Sequence, residues 1–346
     1  MNDSTRIAAI GSELEGMSLF LTGGTGFFGR ALLRYIADSP IDKSTLGVTV
    51  LTRSPDAFLA RYSEFSGLNW LDFHTGDILG SPSLLPVHTR FSHILHAAAD
   101  STVAPRVAPL DRYEQIVTGT RRLLDFAVSV GARRFLLTSS GAVYGAPPAG
   151  LDRVPESYHG MPDPMVSEHA YGVAKRLAEH LCCLYQDRYG LQTVIARCFA
   201  FVGPDLPLDV HFAIGNFIRD ALFGEEVIVH GTGLPVRSYL YQDDLAEWLL
   251  TLLARGEPAT AYNVGSDEAI SIADLAYLIR DQLAPGKPVR IEGGSSADAP
   301  TRSRYVPDTD KASKDLGLRI KVPLAAAIRI TAEAIGSRRN ASSRQC

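Results

Sequence analysis

Cysteine is scarce in this chain. Cys182, Cys183, Cys198 and Cys346 are the four among 346 residues. Their spacing fits neither a secreted disulfide framework nor a metal-binding set. They read as free thiols of a reducing compartment, so a cytoplasmic protein with no metal is expected. Long apolar runs are also missing. None approaches the roughly 18–20 residues that a spanning helix requires, and no membrane partner is expected. Met1 to Gly16 lacks the basic stretch followed by an apolar one that marks a secretory signal. A basic block is absent too: 34 Lys and Arg stand against 38 Asp and Glu, for a formal net charge of −4. Phosphate backbones need a concentrated cationic surface, so nucleic acid is not the expected partner.

What is present suits a large globular fold. With 46% hydrophobic and 21% charged residues, the chain has material for one large domain or two fused ones. Its first half alternates short β-branched or aromatic runs with helical stretches, the pattern of a parallel sheet with crossover helices. Strands are expected at Ser18–Thr22, Gly47–Thr52, Leu71–Thr75, His93–Ala97, Phe135–Thr138 and Thr193–Ala196. Apolar residues recur at helical spacing in Phe28–Ala37, Leu110–Val130 and Glu168–Tyr189. The second half mixes helices at Leu245–Ala254 and Ile272–Leu283 with brief strands and many Pro and Gly. A dinucleotide-binding domain over 17–200, rejoined by about 237–265, and a smaller lobe over 201–335 are expected. Residues 1–16 and 336–346 read as flexible ends.

The first strand runs directly into Thr22-Gly23-Gly24-Thr25-Gly26-Phe27-Phe28-Gly29. Gly23 permits a tight turn, Gly26 a close approach of backbone to pyrophosphate, and Gly29 close packing of helix on strand. The helix end then favours the phosphates, so residues 23 and 25–29 are expected to hold a dinucleotide. The fold class is therefore α/β, a doubly wound parallel sheet of the Rossmann type with a smaller α/β substrate lobe. A sheet of this type usually ends its second strand with an acid for the ribose 2′-hydroxyl. Here Thr52 takes that place and Arg53 follows. A guanidinium suits a 2′-phosphate, which favours NADP over NAD. Asp77 and Ile78, after the third strand, are placed near the adenine.

Tyr171 and Lys175 lie four residues apart on one helix face. An ammonium beside a phenol favours phenolate, so Tyr171 is expected to exchange a proton with a substrate hydroxyl near neutral pH. Such a pair occurs by chance in many helices, but Ser139-Ser140 at the end of a strand adds a hydroxyl. The glycine loop, strand-end serine and Tyr/Lys helix follow in that order.

On these motifs the chain resembles the extended short-chain dehydrogenase/reductase family, the nucleotide-sugar epimerases and dehydratases, from about Ser18 to Val322. His96-Ala97-Ala98-Ala99, Gly119-Thr120, Arg197, Gly203-Pro204, the run from Arg237 to Asp244, Tyr262-Asn263-Val264-Gly265 and Tyr305-Val306-Pro307-Asp308 also match. The resemblance implies that Ser140, Tyr171 and Lys175 are catalytic, that Ala97, Ala98, Ala99 and Phe199 adjoin the cofactor, and that Arg237 grips the substrate diphosphate. It also implies a homodimer through the two long central helices.

Departures narrow the subclass. Dehydratases of the family carry Asp-Glu after the strand-end hydroxyl residue, where this chain has Gly141 and Ala142. Decarboxylases usually keep the Glu. Both reactions are therefore disfavoured. The family's helix asparagine is Ile116 here, which alters a water-linked proton relay, and its sugar-contacting asparagine is Ala200. His211 stands where some members keep an acid–base histidine and reads as a sugar-binding residue. Asp243-Asp244 reads as a helix-start acid pair. The expected activity is hydride transfer at carbon 4 of a nucleotide-diphosphate sugar, as a 4-keto-sugar reductase or 4-epimerase. A non-catalytic dinucleotide sensor is the alternative from another class.

Overall fold

The computed structural model describes residues 11–80, 85–98, 107–208, 212–293 and 304–343. In chain order the larger elements are α1 (Gly11–Leu14), β1 (Ser18–Thr22), α2 (Phe27–Asp38), β2 (Gly47–Thr52), α3 (Pro55–Arg61), β3 (Leu71–Thr75), β4 (His93–His96) and α4 (Pro109–Ser129). Then come β5 (Arg134–Ser140), α5 (Ala170–Tyr189), β6 (Gln192–Cys198), β7 (Phe201–Val202), α6 (Ala213–Phe223), β8 (Val227–Val229), β9 (Val236–Arg237) and β10 (Leu240–Tyr241). The rest is α7 (Gln242–Arg255), β11 (Thr260–Val264), β12 (Ile270–Ser271), α8 (Ile272–Leu283), β13 (Val289–Ile291), β14 (Arg304–Tyr305), α9 (Asp310–Leu316) and α10 (Leu324–Ser343).

Seven parallel strands form the central sheet, in the order β11-β6-β5-β4-β1-β2-β3. The order reverses beside β1, and the carboxyl ends of strands at such a reversal open a ligand crevice. Leu19, Leu21, Val48, Val50 and Leu95 are buried against α2 and α7 on one face. Phe20, Ile94, Phe135 and Leu137 point to the other, where α4 and α5 supply Leu123, Leu124, Ala174 and Ala178. Each large apolar side chain so buried contributes ~1.5–3 kcal/mol, and burial on both faces is why these strands read as nearly continuous apolar runs.

Chain from the second half completes this sheet through α7 and β11. The smaller lobe has its own core, with Val227 and Val229 of β8 against Ile214, Phe217, Leu275, Ile279 and Ile328. Two expectations for the ends need correction. Leu14 and Met17 are buried in the main core, so the first flexible end does not reach residue 16. At the other end, α10 carries the Ser/Arg-rich stretch past residue 335 as helix to Ser343.

Candidate active site

The turn after β1 is built on glycine where nothing larger fits. Gly23 has φ +74°, and a Cβ there would lie 2.5 Å from the Ala97 carbonyl oxygen. A Cβ on Gly29 would meet the Gly24 backbone at 2.2 Å, so α2 presses directly on the loop. Gly26 is the residue before α2 and brings no side chain to cap it. The first-turn N–H groups of α2 receive no side-chain cap, and an anion can take that place.

This loop forms one end of a cavity of about 1540 Å³ along the carboxyl edge of the sheet. Single-ligand pockets span ~300–1,000 Å³, so there is room for a dinucleotide and a second molecule. Gly23, Thr25, Gly26, Phe27, Phe28, Thr52, Arg53, Asp77, Ile78, Ala97 and Ala98 line it. Gly29 lies behind the loop as its packing point, and Ala99 falls outside the described residues. Asp77 accepts the Leu79 N–H at 2.9 Å, and Arg122 donates to the carbonyls of Ile78, Leu79 and Gly80, which fixes the turn. Arg53 is exposed and makes no ion pair among the described residues. These residues fit a nicotinamide dinucleotide: a close-approach loop, an uncapped helix start and a cleft of the right size.

The other end of the cavity gathers Ser140, Tyr171, Lys175, Phe199, Ala200 and Arg237. Ser140 closes β5, and its Oγ accepts the Ala142 N–H at 3.1 Å. Lys175 is buried, and Nζ donates to the Thr138 carbonyl at 2.7 Å. Burial pushes Lys175 down to about 8. For Tyr171 the sequence-based expectation is corrected. Burial drives its phenol pKa upward, although the Ser140 hydroxyl hydrogen-bonds it and Arg112 lies near. The Lys175 ammonium sits 6.0 Å from the Tyr171 ring centroid, with Nζ bonded to the Thr138 carbonyl. Beneath them His96 bridges Thr22 at 2.8 Å and Thr120 at 3.3 Å, and burial holds it down to about 3, so it stays neutral. The Lys175 helix is further fixed by Glu179, which receives Ser139 at 2.5 Å and Arg197 at 2.8 Å.

Other sequence expectations fall as follows. Gly141 and Ala142 bring no acid, and a Cβ on Gly141 would lie 2.7 Å from Phe199 and 2.8 Å from the Tyr305 hydroxyl. Ile116 is buried on α4. His211 lies outside the described residues. Asp243 and Asp244 stand in the first turn of α7, where Asp244 accepts N–H groups of Lys321 and Val322. Cys182 is buried, but Cys183 is exposed and not part of the core. Sequence reasoning missed Arg112, Gln115, Tyr239 and Tyr305 as lining residues. Arg112 stands four positions before Ile116, so helical spacing could have revealed it. Among the described residues there is no metal-binding cluster and no helix long and apolar enough to cross a membrane.

A UDP-glucuronic acid decarboxylase of Arabidopsis thaliana, number 5, is 28% identical over 311 residues, covering 90% of this chain and 86% of its own. The solved structure of DesIV, a dTDP-glucose 4,6-dehydratase of Streptomyces venezuelae with NAD bound, aligns with TM-score 0.79 and 27% identity over 94% of this chain and 98% of that one. RMD of Pseudomonas aeruginosa, complexed with NADPH, shares the fold at TM-score 0.75 and 23% identity, over 93% of this chain and 99% of that one. The NAD dependent epimerase/dehydratase family matches residues 19–265. This chain belongs to that family.

Proposed function

We propose that the chain is an NAD(P)-dependent enzyme that oxidises or reduces carbon 4 of the sugar in a nucleoside-diphosphate sugar. The observation that carries this is the convergence of Ser140, Tyr171 and Lys175 on the cavity whose other end is the glycine loop. The bound nicotinamide supplies or accepts the hydride. Tyr171 holds the proton of the sugar oxygen, and Ser140 orients it. Lys175 places a cation under the same end of the cavity, and Arg237 lines it where a diphosphate needs charge. Without an acid at 141 or 142, the reading favoured is a 4-keto-sugar reductase or 4-epimerase, with NADP preferred through Arg53.

A second reading is decarboxylation of a nucleotide-linked hexuronate, favoured by the decarboxylase relatives. The missing acids weigh less against it than the sequence alone suggests. Once carbon 4 is a ketone, a carboxylate on carbon 5 belongs to a β-keto acid, which loses carbon dioxide without a nearby carboxyl group. Incubation with UDP-glucose, UDP-glucuronate and a 4-keto sugar nucleotide, with each dinucleotide, separates the readings. Epimer or reduced sugar without carbon dioxide supports the first, and pentose with carbon dioxide the second. No change in any of the three overturns both.

We propose in addition a homodimer through α4 and α5. Leu177 and Leu184 of α5 and Leu110 and Val128 of α4 are exposed apolar residues that such an interface would cover. A monomeric mass in solution would overturn this.

A further inference from the structure

Tyr305 stands in the cavity although its strand belongs to the far end of the chain. Its ring packs on Phe199 with centroids 4.6 Å apart. Its hydroxyl is 3.4 Å from Ser140 Oγ and 3.4 Å from the Cys198 carbonyl oxygen. These are long contacts, of the kind that tighten only when substrate closes a site. The phenol oxygen also lies 2.8 Å from where a Cβ on Gly141 would be. Glycine at 141 is therefore what admits a second phenol beside the strand-end serine.

The post that carries Tyr305 is firm. Tyr305 is paired with Arg237 across β14 and β9. The next residues are tied down by the Val154 N–H to the Val306 carbonyl at 2.9 Å and by the Asp308 N–H to the Val154 carbonyl at 3.0 Å. Asn263 Nδ2 adds a bond to the Asp308 carbonyl at 2.9 Å. Three hydroxyls thus line one cavity, Tyr171, Ser140 and Tyr305, and those of Ser140 and Tyr305 stand 3.4 Å apart. On α4, Ile116 offers no proton-bearing group, and Lys175 Nζ is turned to Thr138.

We propose that Tyr305 is the outer member of a proton relay that runs through Ser140 to Tyr171. This rests on the oxidoreductase reading above. When a sugar carbonyl is reduced by NAD(P)H, Tyr171 Oη gives its proton to the sugar oxygen. Ser140 Oγ passes its proton to Tyr171, Tyr305 Oη passes its own to Ser140, and the Tyr305 phenolate takes one from cavity water. One proton enters from water and one leaves with the substrate. Oxidation runs the same series backward.

Tyr305→Phe tests the relay, because it keeps the ring on Phe199 and removes one oxygen. Turnover, KM, dinucleotide affinity and the solvent deuterium isotope effect are measured for wild type, Tyr171→Phe and Tyr305→Phe. The relay requires kcat to fall at least tenfold in Tyr305→Phe, with a larger isotope effect and unchanged dinucleotide binding. An active wild type with Tyr305→Phe unchanged in kcat and isotope effect overturns the relay and leaves the functional reading standing. A rise in KM alone makes Tyr305 a wall of the sugar site and also overturns it. A wild type inactive on all three sugar nucleotides overturns the functional reading and the relay together.

Discussion

Burial sets the protonation of the two residues proposed to handle charge at the sugar, and it does so in opposite senses. Tyr171 is held protonated, because a phenolate there loses more hydration than Ser140 and Arg112 return. It therefore enters as a proton donor, and Tyr171→Phe should cut kcat by ~10²–10⁴-fold, the usual weight of a general acid. Dinucleotide affinity should persist, as titration of the variant would show, and turnover like wild type would refute the assignment. Lys175 is the converse case. Its ammonium is disfavoured by burial and titrates at about 8, so the cation is present below pH 8 and lost above it. In the free enzyme kcat/KM should hold level below that pH and decline as it rises further. A profile flat to pH 10 would show that the charge of Lys175 is not used. Arg53 acts at the far end of the cavity. A guanidinium can meet a 2′-phosphate with paired bonds of ~1.5–3 kcal/mol, whereas a carboxylate repels it and accepts from a bare ribose. Arg53→Asp should shift the NADP-to-NAD affinity ratio at least tenfold toward NAD. Titrating both dinucleotides checks this, and an unchanged ratio would mean that Arg53 turns to solvent.

At the scale of elements, α7 shows how a helix of the second half is locked to the sheet. Asp244 is buried in its first turn, and one carboxylate oxygen accepts the N–H groups of Lys321 and Val322, each at 3.0 Å. These bonds fix the turn that leads into α10. Asp244→Ala leaves both donors without that acceptor and should cost about 2–6 kcal/mol, at ~1–3 kcal/mol for each buried polar group so orphaned. Asp244→Asn keeps one oxygen for both donors and should cost less. Denaturant titration of the two variants compares them, and equal losses would assign the effect to charge. The sequence made α7 legible from Leu245 onward because its apolar residues recur at helical spacing. The six strands of the first half were legible for a related reason, as β-branched runs between turn residues, the first three with the expected bounds and the next three with ends shifted by one or two positions. That Ser140, Tyr171 and Lys175 would meet at one cavity was readable from local motif and order. Strands β7, β9, β10, β12 and β14 have only two residues each, too short for any periodicity. For that reason Tyr305 was legible only as part of a family motif, and its place in the cavity, which depends on the pairing of β14 with Val236 and Arg237 far away in sequence, was not. The direction of the Tyr171 shift was misread because spacing shows that Lys175 is near, but not how far burial of the phenol outweighs it.

Across the whole molecule, one carboxylate ties the cofactor loop to the substrate lobe. The Asp205 side chain is fully buried and meets Arg30 and Arg34 of α2 at 3.2 Å each and Arg338 of α10 at 3.3 Å. Gln242 at the start of α7 adds a bond at 3.3 Å. Arg30 also donates to the Thr25 carbonyl at 2.7 Å, so the glycine loop and the segment after β7 share one ion cluster. Despite its burial, the three guanidinium groups hold the Asp205 carboxyl below its usual range. A carboxyl so depressed contributes its stability above its unfolded pKa, ~4, and loses it as pH falls through the lower folded value. Removing it strands charges that were desolvated to meet it. Asp205→Ala should therefore cost ~3–5 kcal/mol, as breaking a buried pair does, and should weaken dinucleotide binding through the freed Arg30. Arg338 is half exposed at 48%, and pairs of that kind contribute only ~0–1 kcal/mol. Arg338→Ala should leave both stability and affinity nearly unchanged. Unfolding at pH 7.5 and dinucleotide titration on the two variants decide the matter. If Arg338→Ala proves as costly as Asp205→Ala, the cluster anchors the last helix and not the cofactor loop. If Asp205→Ala loses stability but binds dinucleotide as wild type does, the link from Asp205 through Arg30 to Thr25 carries no function.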